Sequence, residues 1–371
     1  MNNEIVVVNN GNVVGDIEVP GDKSISHRAI IFGSLASGVT TIHNCLLGDD
    51  VLATIKAFQE LGIDICVNSK NIVAINGGSI FQFRNDCELN LGNSGTSIRL
   101  LMGLLSGIGT RARLTGDESL RKRPMKRVSE PLEKMGANIK LTNHEFAPVQ
   151  LLGSSSLKAI QFKPVVASAQ VKSAILLAGL FCSGETIIRE KIQTRDHTER
   201  MLALFGGDIK VDEGTVCVKG QSSLISQDFT VPGDFSSAAF LIVGAIIANQ
   251  GELLIRNVGL NPTRLGLIKI LKEMGAKIDI QYTSDEFEPT GDIKVCHSDL
   301  DGITVDPSLI PSAIDEFPIF FIAAALMVEG SDITIKNICM NETRIGFLKV
   351  VNKMGARIEV NNKKTVCGEL V

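Results

Sequence analysis

The sequence predicts an α/β (α+β) protein of two domains, assembled from copies of one unit of about 70 residues. Three observations lead to this fold. Helices that end in glycine recur at near-constant spacing, helices that are apolar on all sides alternate with them, and two similar Pro-Gly links stand far apart in the chain. Each unit is predicted to contain a strand, a buried helix, a strand, an amphipathic helix and a strand.

The amphipathic helices are marked by the glycine that ends each of them. These glycines stand at positions 62, 136, 206, 275 and 355, at steps of 74, 70, 69 and 80 residues. Glycine after the last helical turn is a common helix stop, and the alternating apolar residues that follow are typical of a strand. We therefore predict five helix-to-strand junctions.

The second type of helix is apolar nearly all round and rich in alanine and serine. Its copies are predicted to start near Ser24, Thr96, Ser168, Ser236 and Asp315. A helix that is apolar on every side must be buried. Each unit therefore hides one helix and places the other against a sheet.

The Pro-Gly links set the predicted domain boundaries. Val19-Pro20-Gly21 and Val231-Pro232-Gly233 suit a pair of strands that cross between domains. We predict that residues 21–229 form one domain with three units, and that residues 1–20 and 230–371 form the other. A strand is expected near 5–8.

Composition excludes several classes of function. The 371 residues are 44% hydrophobic and carry a net charge of −4, with no Trp and one Tyr. Nucleic-acid binding would call for a basic surface with aromatic side chains, so we expect no nucleic-acid partner. The eight cysteines form no C-x-x-C pair and are expected to be reduced, buried thiols, which argues against a disulfide framework or a zinc site.

Neither the amino terminus nor the apolar runs predict a membrane protein. Residues 1–4 lead into a strand pattern instead of a secretory signal, and the apolar runs 240–248 and 319–328 are shorter than the ~18 residues of a span. We expect a cytoplasmic monomer without a membrane partner.

The start of the first buried helix predicts an anion site. Pro20-Gly21-Asp22 is turn chemistry, and the helix that follows carries Lys23, Ser24 and Arg28. Free N–H groups at a helix start hold partial positive charge, and the two cations add full charges. The alternative is an ordinary capped helix with solvated basic residues.

Other helix starts repeat this pattern. Arg99, Arg123 and Arg195 stand near them, and Arg123 precedes a proline, whereas Lys126, Arg127 and Arg200 fit a solvated helix face. Ser168 and Gln170 either bind polar ligand atoms or cap a helix. Asp315 and Glu316 precede an apolar helix, either as N-caps or with Asp315 as a base of raised pKa toward a hydroxyl.

Taken together, these segments resemble the 5-enolpyruvylshikimate-3-phosphate (EPSP) synthase family of enolpyruvyl transferases. The resemblance covers the chain from about residue 12 to 328. The matching segments, in the family's order, are Gly21-Asp22-Lys23-Ser24-Ile25-Ser26-His27-Arg28, Gly92-Asn93-Ser94-Gly95-Thr96, Thr115-Gly116-Asp117, Arg123-Pro124-Met125, Ala167-Ser168-Ala169-Gln170-Val171-Lys172-Ser173, Arg195-Asp196-His197-Thr198-Glu199, Asn261-Pro262-Thr263-Arg264 and Ile314-Asp315-Glu316-Phe317-Pro318.

The resemblance implies two domains of repeated βαβαββ units, about five of the family's six being present, that close over shikimate-3-phosphate and phosphoenolpyruvate. It implies addition of the shikimate hydroxyl to the enolpyruvyl carbon, followed by loss of phosphate, on the route to chorismate and the aromatic amino acids. No metal or organic cofactor is implied. Glyphosate is expected to occupy the phosphoenolpyruvate site beside Gly95.

The resemblance also implies roles for individual residues. Lys23 contacts both substrates and belongs to the catalytic set, with Asp315 as proton acceptor. Implied ligands of shikimate-3-phosphate are Ser24, Arg28, Ser168, Ala169, Gln170 and Arg195. Gly95 and Arg123 are implied to hold phosphoenolpyruvate, which Gln170 also reaches.

The chain departs from the family pattern after the helix that follows Asp315. A family segment Lys-Glu-(Ser or Thr)-(Asp or Asn)-Arg corresponds here to Met340-Asn341-Glu342-Thr343-Arg344, which is similar to a second copy of Asn261-Pro262-Thr263-Arg264. Glu342 as general acid–base and Arg344 as phosphoenolpyruvate ligand are the implied roles. Beyond Val371 the family continues with a sixth unit that carries an Asp-His-Arg segment and a late lysine.

Two alternatives stay open from the sequence. One is a truncated or impaired family member that only binds shikimate-3-phosphate. The other is the related cell-wall transferase, which would turn over UDP-N-acetylglucosamine and against which the motif residues argue.

Overall fold

A computed structural model describes residues 11–78, 83–153, 156–327, 331–336, 342–360, 365–366 and 369–370. The chain divides into two compact units, one of Pro20–Val231 and one of Met1–Val19 with Pro232–Val371. The fold is α/β with several small sheets, as predicted. The predicted strand near residues 5–8 lies outside the described residues.

The regular elements are numbered in chain order. The strands are β1 (Val13–Glu18), β2 (Gly38–His43), β3 (Asp64–Val67), β4 (Val73–Gly77), β5 (Cys87–Asn90), β6 (Arg111–Thr115), β7 (Ile139–Thr142), β8 (Phe146–Leu152), β9 (Gln161–Phe162), β10 (Glu185–Arg189), β11 (Ile209–Asp212), β12 (Thr215–Lys219), β13 (Asp228–Thr230), β14 (Gly251–Gly259), β15 (Lys277–Ser284), β16 (Thr290–Cys296), β17 (Thr304–Val305), β18 (Thr334–Ile335), β19 (Thr365–Val366) and β20 (Glu369–Leu370). The helices are α1 (Lys23–Leu35), α2 (Asp49–Glu60), α3 (Gly95–Ile108), α4 (Glu118–Arg121), α5 (Lys126–Lys134), α6 (Ala169–Gly179), α7 (His197–Leu204), α8 (Phe235–Ile247), α9 (Gly266–Glu273), α10 (Ile310–Ala313), α11 (Phe317–Ala325) and α12 (Glu342–Lys353), with 3₁₀ turns at Pro262–Arg264 and Pro307–Leu309.

One sheet topology recurs four times. The four-stranded sheets have the orders β13-β2-β4-β3, β5-β6-β8-β7, β9-β10-β12-β11 and β1-β14-β16-β15. In each of them the first pair is parallel and the other two pairs are antiparallel. In two of the sheets a buried helix crosses over between the parallel strands, α3 between β5 and β6 and α6 between β9 and β10, because parallel neighbours cannot be joined by a tight turn.

Two of these sheets take their first strand from a distant part of the chain. In the unit Pro20–Val231, β13 pairs with β2, and Phe229 lies opposite Ile42. In the other unit, β1 pairs with β14, and Ile17 lies opposite Ile255. Each of these sheets is therefore completed by a strand from the other side of a domain boundary or from the far end of the unit's sequence.

The predicted buried helices are present. Helices α1, α3, α6 and α8 are each capped by a side chain that accepts an N–H of the first turn, from Asp22, Ser94, Ser168 and Asp234 respectively. Helices α3 and α6 approach so closely that a methyl group on Gly103 would meet the carbonyl oxygen of Ala174 at 2.1 Å. Small residues in the helices permit this packing.

The five helix-ending glycines all adopt positive φ, between +82° and +106°, as a C-terminal glycine requires. Strands follow the first four, but residues 356–360 after Gly355 form no strand, so that part of the prediction is wrong. The Asn352 side chain accepts the Ile358 N–H at 2.9 Å and donates to the Ile358 carbonyl at 3.3 Å. These bonds take the backbone groups that a sheet would use.

The cysteines differ in their exposure. Cys45 and Cys182 are buried, but Cys66 is exposed and Cys87, Cys217 and Cys296 are half-buried, so the prediction of uniformly buried thiols is wrong.

Among the described residues no single helix is long and apolar enough to cross a membrane. A pair of helical segments, 307–313 and 317–325, reaches that length only jointly and bends by 118°.

Candidate active site

In the unit Pro20–Val231, Arg28 joins α1 to the first two turns of α6 and α7. Its Nε donates to Thr198 Oγ1 at 2.7 Å, and its Nη2 donates to Ser173 Oγ at 2.9 Å. A third bond runs from Nη1 to the Ser24 carbonyl at 3.0 Å, and Arg28 is only 4% exposed. The guanidinium is thus fixed beside the first turn of α1. Sequence reasoning missed Ser173 and Thr198, which hold it.

The starts of α3 and α6 are joined through Gln170. Its amide oxygen accepts a bond from Arg99 Nη1, and its amide nitrogen donates to Thr96 Oγ1 at 3.1 Å. Arg99 also donates to the Pro124 carbonyl at 3.5 Å. The bonding from Arg99 assigns the Gln170 carbonyl and amino ends, since an arginine only donates. Arg99 therefore sets the direction in which Gln170 presents its amide.

Gly95 and Arg123 also lie together. Gly95 is buried and is the first residue of α3, and a methyl group built on it would lie 2.9 Å from Arg123 Nη1 and 3.5 Å from Arg99 Nη1. Arg123 is half-buried and donates to the Asn93 side chain. The N–H groups of the first helical turn have no intrahelical acceptor. Glycine here leaves room for a guanidinium beside those N–H groups.

The remaining predicted ligands of this unit lie at helix starts or just before them. Lys23 is the first residue of α1, and its Nζ lies 3.3 Å from Asp50 Oδ2 with the side chain 51% exposed, so this weak surface pair leaves it free to turn. Ser168 caps α6 and Ala169 is its first residue. Arg195 is half-buried in the segment before α7.

The histidine of the first motif does not add to the positive charge. His27 is fully buried, and burial together with the neighbouring charges of Lys23 and Arg28 lowers its pKa to about 3. At neutral pH the ring is uncharged, and its Nδ1 bonds with the Thr54 hydroxyl at 2.8 Å. His27 is a structural member of the motif, whereas the flanking cations supply the field.

The other unit holds a buried acidic group. Glu316 immediately precedes α11 and is 2% exposed, and its side chain makes no capping bond. Its Oε1 lies 3.1 Å from Arg264 Nη2 and accepts a 2.6 Å bond from Ser236. Glu316 is therefore an ion-pair partner and not a cap. Asp315 beside it is half-buried.

Two predicted residues are placed only by their backbone. Glu342 and Arg344 lie in the first turn of α12, and their side chains are outside the described part of the chain. The helix itself repeats the 3₁₀ turn and helix α9 at an offset of 80 residues, with Thr263-Arg264 matched by Thr343-Arg344.

Side-chain contacts within the unit Pro20–Val231 link the first turns of α1, α3 and α6. They also fix the guanidinium groups of Arg28, Arg99 and Arg123 beside these turns. Such a set of fixed cations and helix dipoles defines a protein that binds polyanionic small molecules. The described residues contain no group of His, Cys, Asp and Glu arranged to hold a metal ion.

Comparison with known proteins identifies the class. The family model described as EPSP synthase (3-phosphoshikimate 1-carboxyvinyltransferase) matches two overlapping segments, residues 7–327 and 319–369. A 3-phosphoshikimate 1-carboxyvinyltransferase of Alkaliphilus oremlandii is 44% identical over 359 residues, covering 94% of this chain and 83% of that protein. One of Citrifermentans bemidjiense is 49% identical over 317 residues, covering 85% and 73%.

A solved structure agrees with this assignment. EPSP synthase from Acinetobacter baumannii superimposes with a TM-score of 0.82 at 42% identity, covering 93% of this chain and 80% of that one. The chain belongs to the EPSP synthase family.

Proposed function

We propose that the chain transfers the enolpyruvyl group of phosphoenolpyruvate to the 5-hydroxyl of shikimate-3-phosphate and releases inorganic phosphate. The observation that carries the proposal is the joined set of helix starts in the unit Pro20–Val231, where Arg28, Arg99 and Arg123 are held by hydrogen bonds. Two phosphorylated carboxylic acids bound side by side require this density of cations and N–H groups. Because hydrogen bonds already orient the Arg28 side chain, it loses little conformational entropy when a substrate binds.

We assign the substrate contacts as follows. Arg28, Ser24, Ser168, Ala169, Gln170 and Arg195 hold shikimate-3-phosphate, and the first turn of α3 at Gly95 with Arg123 holds phosphoenolpyruvate. Lys23, whose side chain is exposed at the start of α1, contacts both substrates. The Gln170 amide nitrogen donates to Thr96 Oγ1, and its second N–H is the proposed donor to substrate oxygens.

The reaction is an addition followed by an elimination. The 5-hydroxyl oxygen bonds to C2 of phosphoenolpyruvate and gives up its proton, for which Asp315 is the proposed acceptor, while C3 gains a proton. C3 then loses a proton and the bond between C2 and the phosphate oxygen breaks. These steps expel phosphate and restore the C2–C3 double bond. Glu342 and Lys23 are the proposed partners in these proton transfers, and Arg344 is a proposed ligand of phosphoenolpyruvate. The proposal includes a cytoplasmic monomer without a cofactor.

Phosphate release with both substrates tests this proposal. We expect release only when shikimate-3-phosphate and phosphoenolpyruvate are both present, and none with UDP-N-acetylglucosamine as acceptor. Calorimetry supplies the second measurement. Binding of shikimate-3-phosphate without any phosphate release at millimolar substrate would contradict the proposal and favour a binding-only protein.

A further inference from the structure

A buried charge cluster lies behind the candidate site, within the unit Pro20–Val231. The Lys172 side chain on α6 is 1% exposed, and its Nζ lies 2.8 Å from Glu190 Oε2 and 2.7 Å from Glu199 Oε1. Both carboxylates are 4% exposed. Burying one lysine with two glutamates is costly in desolvation, so the cluster gains nothing for stability that an apolar core would not supply.

The cluster ties down a segment that has no helix or strand of its own. Residues 190–196 connect β10 to α7. Lys172 Nζ donates to the Thr194 carbonyl at 3.2 Å, and the Thr194 hydroxyl donates to Glu190 Oε1. The Thr194 N–H points to Glu190 Oε2 at 3.5 Å. Both polar groups of the Thr194 backbone and its hydroxyl are thus engaged by the cluster.

The residue after Thr194 is Arg195, the proposed ligand of shikimate-3-phosphate. Helices α6 and α7 also hold Arg28, a second proposed ligand of that substrate. Ser173 Oγ and Thr198 Oγ1 lie 2.7 Å apart next to the Lys172–Glu199 pair, and both contact Arg28. Adjacent contacts between α6 and α7 therefore set the position of Arg28 directly and that of Arg195 through Thr194.

We propose that Lys172, Glu190 and Thr194 are positioning residues that hold Arg195 at the distance from Arg28 that shikimate-3-phosphate requires. This inference rests on the proposed function. None of the three touches the substrate, and their effect reaches it through the backbone of residues 194–195. The cost of burying the cluster is then explained by the fixed geometry it gives to an otherwise irregular segment.

A double-mutant cycle between Thr194→Val and Arg195→Ala tests the proposal. The valine is isosteric with threonine and removes the hydroxyl bond to Glu190 without leaving a charge unpaired. Losing one such bond is expected to raise the KM for shikimate-3-phosphate about fivefold, with kcat and the KM for phosphoenolpyruvate within about twofold. The double variant is expected to match Arg195→Ala alone, because Thr194 acts only through Arg195.

The matched control is Thr186→Val. Thr186 is fully buried in β10 of the same unit, and its hydroxyl contacts the Cys182 thiol and no member of the charge cluster. Its replacement is expected to leave all three constants unchanged. Lys172→Met disrupts the cluster more strongly. If that variant does not fold, the double-mutant cycle of Thr194 and Arg195 still tests the proposal.

The outcomes separate this proposal from the proposed function. A wild-type chain without turnover would overturn both. Turnover in the wild type with additive effects of Thr194→Val and Arg195→Ala, or with an unchanged KM for shikimate-3-phosphate in Thr194→Val, would overturn the positioning role alone.

Discussion

The two units of the chain share one sheet topology but differ in the charged residues that their buried helices carry. In the unit Pro20–Val231, α1, α3 and α6 each carry a buried cation within their first two turns, namely Arg28, Arg99 and Lys172. In the other unit, α8 and α11 contain no basic residue, and the buried carboxylate of Glu316 before α11 is paired with the buried Arg264. The repeat therefore fixes the scaffold, and we attribute the proposed anion binding of the unit Pro20–Val231 to the basic side chains on its buried helices.

The largest effect is expected on the stability of the unit that contains Glu316. Glu316→Ala leaves Arg264 buried without its carboxylate, and breaking a buried pair costs about 3–5 kcal/mol in the free energy of unfolding. Tyr282, the one tyrosine of a chain without tryptophan, lies in this unit, so its fluorescence during urea unfolding reports on it. The double variant Arg264→Met with Glu316→Leu is expected to recover most of the loss. An equally unstable double variant would contradict the ion-pair explanation.

In the anion-binding unit the corresponding change should act on binding. Arg28→Ala removes a charged donor from the first turns of α1, and we expect kcat/KM for shikimate-3-phosphate to fall at least about 100-fold. Arg113 offers a control, because this residue of β6 forms an exposed ion pair with Glu88 of β5. Arg113→Ala should keep kcat/KM within about twofold. A loss in Arg28→Ala that is confined to phosphoenolpyruvate would mean that the two substrate sites have been exchanged.

The buried histidine of α1 makes the same unit sensitive to acid. Its pKa of about 3 in the folded chain lies below the unfolded value of 6.5, so the unfolded state binds the proton first and stability falls as pH drops from 6.5 toward 3. Between pH 7.5 and pH 5 this contribution is about 2 kcal/mol. In circular dichroism melts, the stability of His27→Gln should decline less steeply with falling pH than that of the wild type. Parallel declines of the two proteins would show that His27 is not the responsible group.

Much of the fold follows from local signals. The glycines at 62, 136, 206 and 275 end helices because they reach positive φ, and capping residues such as Asp22 and Ser94 start the buried ones. These effects act over a few residues and are readable in the sequence. The helix-to-strand junction at Gly355 was mispredicted because the Asn352 side chain competes for the backbone of Ile358, and such a choice is invisible in an apolar pattern.

The site was harder to predict than the scaffold. Arg28 bonds Ser173 and Thr198, which stand 145 and 170 residues away in the chain. That pairing depends on how α6 and α7 pack, and periodicity carries no information about it. Glu316 gave the same difficulty, since a carboxylate before a helix has the sequence of a cap, and only the approach of Arg264 makes it an ion pair.

The smallest effect is expected at a glycine that distinguishes the two units. Gly95 and Gly244 both lie in buried helices, but a methyl group at Gly95 would lie 2.9 Å from Arg123, whereas at Gly244 nothing lies within 4 Å. Gly95→Ala should push Arg123 aside, raise the KM for phosphoenolpyruvate about tenfold and weaken inhibition by glyphosate by at least as much. Gly244→Ala should change neither constant and should stabilise its helix by up to about 1 kcal/mol. Unchanged glyphosate inhibition in an active Gly95→Ala enzyme would contradict the placement of phosphoenolpyruvate at the first turn of α3.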